Sequence, residues 1–97
     1  MILIRDTFHL KVGQMDRVLP AIKAMIAGNP DSMYSRILTD ISGRHFTLVV
    51  ESKAESVDAY WNQLQASFGS QDAERAAAFS ELVEFGHREF YNIEHEA

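Results

Sequence analysis

The stretch ILIRDTFHLKVGQMDRVLPAIKAMIA, residues 2–27, changes its apolar period halfway along. Residues 2–11 alternate, which predicts a strand. Its two faces are Ile2, Ile4, Phe8 and Leu10, with Asp6 as an exception, and Leu3, Arg5, Thr7 and His9. Residues 14–27 repeat at helical spacing, through Met15, Val18, Leu19, Ile22, Met25 and Ile26. Pro20 interrupts this pattern and predicts a kink or a late helix start.

The rest of the chain adds a hairpin, a second helical region and a last strand. Residues 33–41 and 44–51 predict two antiparallel strands joined at Ser42-Gly43. Ser52-Lys53-Ala54-Glu55 has capping-box spacing and predicts the start of a helix, whose stripe is Val57, Tyr60, Trp61, Leu64 and Phe68. A further helix is predicted at about 71–84, after which Gly86 leads into a strand from His87 to about Glu94.

This order predicts one α+β domain over residues 1–97, a ferredoxin-like βαββαβ sandwich. Its four-stranded antiparallel sheet would carry the helices on one face and leave the other face bare. A second copy would cover that face with the fewest assumptions, because closed two-fold dimers are the commonest oligomers. We therefore expect a homodimer.

Composition narrows the classes of partner. The 97 residues carry a formal net charge of −5 and no cysteine, which disfavours nucleic acid and removes thiolate zinc sites. No apolar run approaches the roughly 18–20 residues of a membrane span, and the N-terminus does not resemble a signal peptide. The four histidines lack His-Glu-x-x-His spacing. We expect a cytoplasmic protein with no cofactor, no metal and no membrane partner.

One segment carries a family resemblance. Residues 8–19, FHLKVGQMDRVL, resemble the aromatic-x-Leu-Lys-Pro-Gly-x-x-Asp-x-x-Leu stretch of NIPSNAP-like proteins, with Val12 where proline is usual and Asp6 where arginine tends to stand. The resemblance implies the dimeric α/β-barrel superfamily, in which two ferredoxin-like protomers pack sheet against sheet around a space that can hold a ligand.

Antibiotic-biosynthesis monooxygenases are similar in their strand-to-helix turn, and Trp61 matches a tryptophan on their second helical element. Haem-degrading members of the superfamily use an asparagine, a helix tryptophan and a following histidine. Here Asp6 or Thr7 takes the asparagine position, and the next histidine after Trp61 is His87, which argues against haem degradation.

The candidate site residues lie mainly on the predicted bare face. We assign His9 and His87 as catalytic bases, and a ligand-binding role to Arg5, Thr7, Trp61, Glu89 and Tyr91. Each assignment has a structural alternative. Arg5 would pair with a carboxylate, and the alternating His87, Glu89 and Tyr91 would form the solvent face of an edge strand. Trp61 would pack in the core, and His45 would lie solvated beside the hairpin turn.

Two functions from different classes follow. The first is a small homodimeric barrel that binds a small organic ligand between or beside its sheets, with cofactor-independent monooxygenase activity if it is an enzyme. The alternative is a non-catalytic NIPSNAP-like accessory or structural dimer with a filled interior. Fold does not decide between them, and the sequence leaves the substrate or ligand open.

Overall fold

The elements follow the order β-α-β-β-α-β in the computed structural model, which describes residues 1–27, 33–43, 45–67 and 79–97. Their bounds are β1 Ile2–Leu10, α1 Met15–Ala27, β2 Tyr34–Thr39, β3 Thr47–Ala54, α2 Val57–Ser67 and β4 Val83–Asn92. The ferredoxin-like order predicted from the sequence is confirmed. Residues 79–82 are helical, and the rest of the helix predicted at about 71–84 lies almost wholly outside the described residues.

The four strands form one antiparallel sheet in the order β2-β3-β1-β4. Alternation therefore gives the sheet a helix side and an opposite side, which we call the open face. The helix side holds the buried core residues Ile4, Leu10, Leu48 and Val50, with Val18 from α1 and Tyr60 from α2 packed against them. The predicted faces of β1 are those observed, and the open face contains its odd-numbered residues.

Asp6 is the exception in the apolar face of β1, and the structure explains it. Its side chain lies on the helix side and is buried, where it accepts a hydrogen bond from Nε of Arg88 at 2.5 Å. The same guanidinium lies over the rings of Tyr60 and Trp61, at 5.3 and 5.2 Å from their centroids. Arginine favours such combined ion-pair and aromatic contacts. The buried charge is thus compensated within the fold.

Two predicted boundaries are wrong. β3 runs on through Ser52 to Ala54, because both residues pair with β1 and are buried on the helix side. α2 begins at Val57, and Ser56 Oγ accepts a hydrogen bond from the amide of Ala59. Ser52 therefore lies in a strand despite its capping-box spacing, since its pairing with β1 outweighs a local preference for capping a helix.

The last strand also begins earlier than expected. β4 starts at Val83, so Gly86 lies inside it, opposite Phe8. A Cβ atom at Gly86 would lie 3.0 Å from both Phe8 Cδ1 and the Thr7 carbonyl oxygen, so any larger residue would have to shift these neighbours by a few tenths of an ångström. In α1, Pro20 lies inside a helix that starts at Met15, so the late start is not observed.

The hairpin turn is wider than predicted. Asp40 and Thr47 close it, because the Thr47 amide donates to Asp40 Oδ1 at 3.0 Å and the Asp40 amide donates to the Thr47 carbonyl. Gly43 and Phe46 have φ values of 96° and 60°, which fold the chain back before β3 begins. Among the described residues, no helix combines the length and hydropathy needed to cross a bilayer.

Tyr60 predicts a loss of stability at alkaline pH. Burial and the nearby Asp6 charge raise the pKa of Tyr60 to about 12. The folded protein thus keeps a proton that the unfolded chain releases from pH 10.0 upward, so this stabilisation is complete below pH 10.0 and is lost as the pH rises through about 12. We expect the free energy of unfolding to fall more steeply between pH 10 and 12 in the wild type than in Tyr60→Phe, measured by urea unfolding. Parallel curves would contradict this assignment.

Candidate functional site

The open face is a continuous surface of four strands. It contains Arg36 and Leu38 of β2, Thr47, Val49, Glu51 and Lys53 of β3, Leu3, Arg5, Thr7 and His9 of β1, and Phe85, His87, Glu89 and Tyr91 of β4. The pairing register aligns these side chains in rows across the sheet. Six of the seven residues that the sequence assigned to a site belong to this surface.

Glu51 is the centre of the open face. Its side chain is only 1% exposed, although both α1 and α2 pack on the other side of the sheet. Arg36 Nε donates to Oε1 at 2.6 Å, and Arg5 Nε donates to Oε2 at 3.0 Å. Each guanidinium also places a second nitrogen within 2.9 Å of the same oxygen. The carboxylate is therefore buried by the two arginines that neutralise it.

The charge state of Glu51 follows from this contact. Burial alone would raise its pKa, but the hydrogen bonds and charges of Arg36 and Arg5 outweigh burial, so the pKa of Glu51 is lowered. Arg5 consequently holds a carboxylate of its own chain. This is the structural alternative that the sequence left open for Arg5.

A second group of polar side chains lies along β4. Tyr91 donates its hydroxyl proton to Glu89 Oε2 at 2.7 Å, and Arg5 lies over the Tyr91 ring at 5.4 Å. The hydrogen bond to Glu89 is the main reason that the pKa of Tyr91 is raised. Nε2 of His87 lies 3.7 Å from Glu89 Oε1. Glu89 therefore contacts both Tyr91 and His87, its neighbours on the same face of β4.

The two histidines assigned as bases lie near each other. The His9 and His87 rings are 6.3 Å apart between centroids, and His9 packs against Phe85 at 4.4 Å. His9 Nδ1 lies 3.1 Å from Thr47 Oγ1. A shallow groove of about 510 Å³ runs beside His9 along the hairpin, between Leu38, Asp40 and Val49. This corner therefore combines an imidazole, a hydroxyl and apolar side chains beside the groove.

The remaining candidates are Thr7, Trp61 and His45, and the last has the solvated setting expected beside the hairpin turn. Thr7 lies on the open face but is itself buried, in the row between Val49 and His87. Trp61 lies on the helix side, where its ring packs beside Tyr60 and Phe90, so the sheet separates it from Arg5 and His9. His45 is exposed beside the hairpin turn, next to the Phe46 ring. The structure therefore does not bring Trp61 or His45 to the other candidates.

Sequence reasoning missed Glu51, Arg36 and Arg88. The available signal was a charged residue within a strand pattern, but Arg36 and Glu51 are 15 positions apart, and Asp6 and Arg88 are 82 apart. Their pairing depends on sheet order, which a single sequence does not specify residue by residue. Within the described ranges, no three carboxylate or histidine groups are placed to hold a metal ion.

Comparisons with known proteins agree with the fold. No protein-family model matches the chain, and no curated protein matches it. Among solved structures, it is similar to an uncharacterized NIPSNAP domain protein from Burkholderia xenovorans, with 14% identity, a TM-score of 0.80 and coverage of 95% of this chain and 93% of that one.

Two further structures come from Agrobacterium tumefaciens. Protein Atu4242 gives a TM-score of 0.79 at 14% identity, covering 95% of this chain and 92% of that one. The NIPSNAP family protein Atu5224 gives 0.72 at 16% identity, covering 94% and 90%. At these identities the likeness concerns fold alone. The chain therefore has the ferredoxin-like fold of NIPSNAP domain proteins, as the resemblance of residues 8–19 implied.

Acid titration tests the role of Glu51. Because its pKa is lowered in the folded state, its stabilisation is present above the ordinary glutamate pKa of about 4.3 and is lost as the pH falls through the folded value. We expect Glu51→Gln to cost about 1–3 kcal/mol at pH 7, since it removes the counter-charge of two partly exposed guanidinium groups, and to flatten the acid limb of the stability curve. Glu55→Gln, at an exposed position, is the matched control. Similar curves for the two variants would exclude this role.

Proposed function

We propose that this chain is a non-catalytic, NIPSNAP-like accessory protein that acts as a homodimer, with its two sheets packed through their open faces. The observation that carries the proposal is the Arg36–Glu51–Arg5 cluster. Its charged groups bond one another, so they stabilise a surface and are not poised to receive a substrate. The fold shared with NIPSNAP domain proteins supports the same reading.

Exposed apolar side chains support pairing through this face. Leu38, Phe85 and Tyr91 are each between 37% and 45% exposed, and they flank the charged centre on both edges of the sheet. Packed sheets lie about 10 Å apart and interdigitate their side chains. A second copy would remove these groups from water and would supply polar partners around the buried cluster.

A second candidate function is an enzyme that binds its substrate in the groove beside His9. The specific observation is the pair of His9 and His87 rings, 6.3 Å apart, of which His9 lines the groove together with the apolar Leu38 and Val49. A neutral imidazole can remove a proton near pH 7, and a cofactor-independent monooxygenase needs such a base to form an electron-rich anion. Trp61, which was expected to bind the ligand, does not reach this corner, because it packs beside Phe90 on the other side of the sheet.

Leu38→Glu tests the proposed dimer face. Leu38 is 37% exposed on the open face, and Val57 is 43% exposed at the start of α2 on the helix side. A charge at position 38 would lose its hydration between the two sheets, and burying a charge is costly. We expect a native mass of twice 11.0 kDa for the wild type and for Val57→Glu at micromolar concentration, and a monomer for Leu38→Glu. A dimer that tolerates Leu38→Glu would refute this placement.

Oxygen consumption separates the two functions. With a panel of phenolic and quinol substrates, we expect the protein to consume oxygen no faster than buffer, because its charged groups are engaged with one another. Uptake that disappears in both His9→Ala and His87→Ala, with folding retained by circular dichroism, would establish the enzyme instead. Ala substitution of the exposed His45 is the matched control.

A further inference from the structure

Four charged residues form one row across the open face. The strand register places Arg36 opposite Glu51, Glu51 opposite Arg5, and Arg5 opposite Glu89. Because the sheet order is β2-β3-β1-β4, each strand contributes one residue to this row. The signs therefore alternate as plus, minus, plus, minus from one edge of the sheet to the other.

This row is complementary to its own reverse. The centre of the sheet lies between β3 and β1, so a two-fold axis parallel to the strands at that point would place β2 of one protomer over β4 of its partner. Arg36 would then face the partner's Glu89, and Glu51 would face the partner's Arg5. All four positions would meet the opposite sign, as an isologous contact requires of a self-complementary patch.

A two-fold axis across the strands gives the opposite result. It would place each strand over its own copy, so that the row meets either itself or a neighbouring row. If the row met itself, Arg36 would face the partner's Arg36. If it met the adjacent row of Leu38, Val49, Thr7 and His87, its two central charges, on Glu51 and Arg5, would face the uncharged Val49 and Thr7. If it met the row on its other side, Glu51 would face the partner's Lys53, but Arg5 would face the partner's Leu3 and Glu89 the partner's Tyr91, both uncharged. Like or unpaired charges at an interface select against such an arrangement.

Exposure distinguishes the outer charges from the inner ones. The Glu51 side chain is buried between the two arginines, whereas those of Arg36 and Glu89 are 61% and 43% exposed at the two edges. The cluster around Glu51 has two positive charges for one negative charge, and Glu89 is an acid at the far edge. The surplus positive charge of one protomer thus matches the edge acid of the other.

We infer that this alternating row fixes the orientation of the homodimer, with Arg36 of each protomer paired to the partner's Glu89 around a two-fold axis parallel to the strands. The inference rests on the proposed dimer and adds its geometry and its partner residues. It also makes the interface sensitive to ionic strength, because the two outer pairs lie at the rim.

Cross-linking tests the orientation directly, since the chain contains no cysteine of its own. Arg36→Cys and Glu89→Cys chains are prepared separately, mixed to exchange subunits and treated with a short bismaleimide that spans the roughly 10 Å between packed sheets. We expect a 36–89 link between different chains. Arg36→Cys alone should give little linked dimer, because its two cysteines would lie about 14 Å or more apart along the row.

A charge-matched pair of variants tests the energetics. Glu89→Gln keeps the acceptor for Tyr91 but removes the charge, and we expect it to weaken dimerisation roughly tenfold or more at low salt. Glu94→Gln removes the same charge from the C-terminal tail, outside β4, and should leave the dissociation constant unchanged. Added salt should reduce the difference between the two variants.

The outcomes separate this inference from the proposed function. A wild-type dimer with the 36–89 link supports both. A wild-type dimer that gives a 36–36 link, or no 36–89 link, or that responds equally to Glu89→Gln and Glu94→Gln, overturns the orientation and leaves the dimer standing. A wild-type monomer overturns both.

Discussion

The buried carboxylate of Glu51 is the constraint on which the open face depends. An unpaired charge there would be costly, and the fold meets it with Arg5 from β1 and Arg36 from β2. Three strands must therefore keep their register for one carboxylate to stay neutralised. A slip of one residue would point Glu51 toward the helices and separate it from both arginines, so the cluster specifies the pairing as well as stabilising it.

The same constraint decides what chemistry the face can offer. Arg5 was given a ligand-binding role from the sequence, but its guanidinium is bonded to Glu51 and stacked on Tyr91. Tyr91 and His87 in turn contact Glu89. The candidate residues thus form a connected polar network, and His9 at the hairpin end has a separate, more apolar setting beside Phe85.

The periodicity of the sequence predicted which face of each strand or helix is buried. It missed the contacts between residues that are far apart in the chain. The faces of β1 and the core positions Met15, Val18, Leu19 and Ile22 of α1 were predicted correctly, because burial on one side imposes a period of two or 3.6. Ser52 was placed in a helix because capping spacing is local, whereas its pairing with Ile4 is 48 positions away. Arg88 was overlooked for the same reason, since its partner Asp6 is at the other end of the chain. Trp61 was assigned to the site by resemblance, and α2 carries it to the opposite side.

The two sides of the sheet handle buried charge differently, and this difference bears on assembly. On the helix side, Asp6 meets one arginine, and Tyr60 and Trp61 cover the pair, so the charge is balanced within one chain. On the open face, one carboxylate meets two arginines, and the Arg36 side chain remains 61% exposed. A surface with surplus positive charge at one edge and an acid at the other is balanced best by its own reversed copy. In the dimer that we propose, Arg36, an exposed arginine on an edge strand, would link the fold of one chain to the assembly of two.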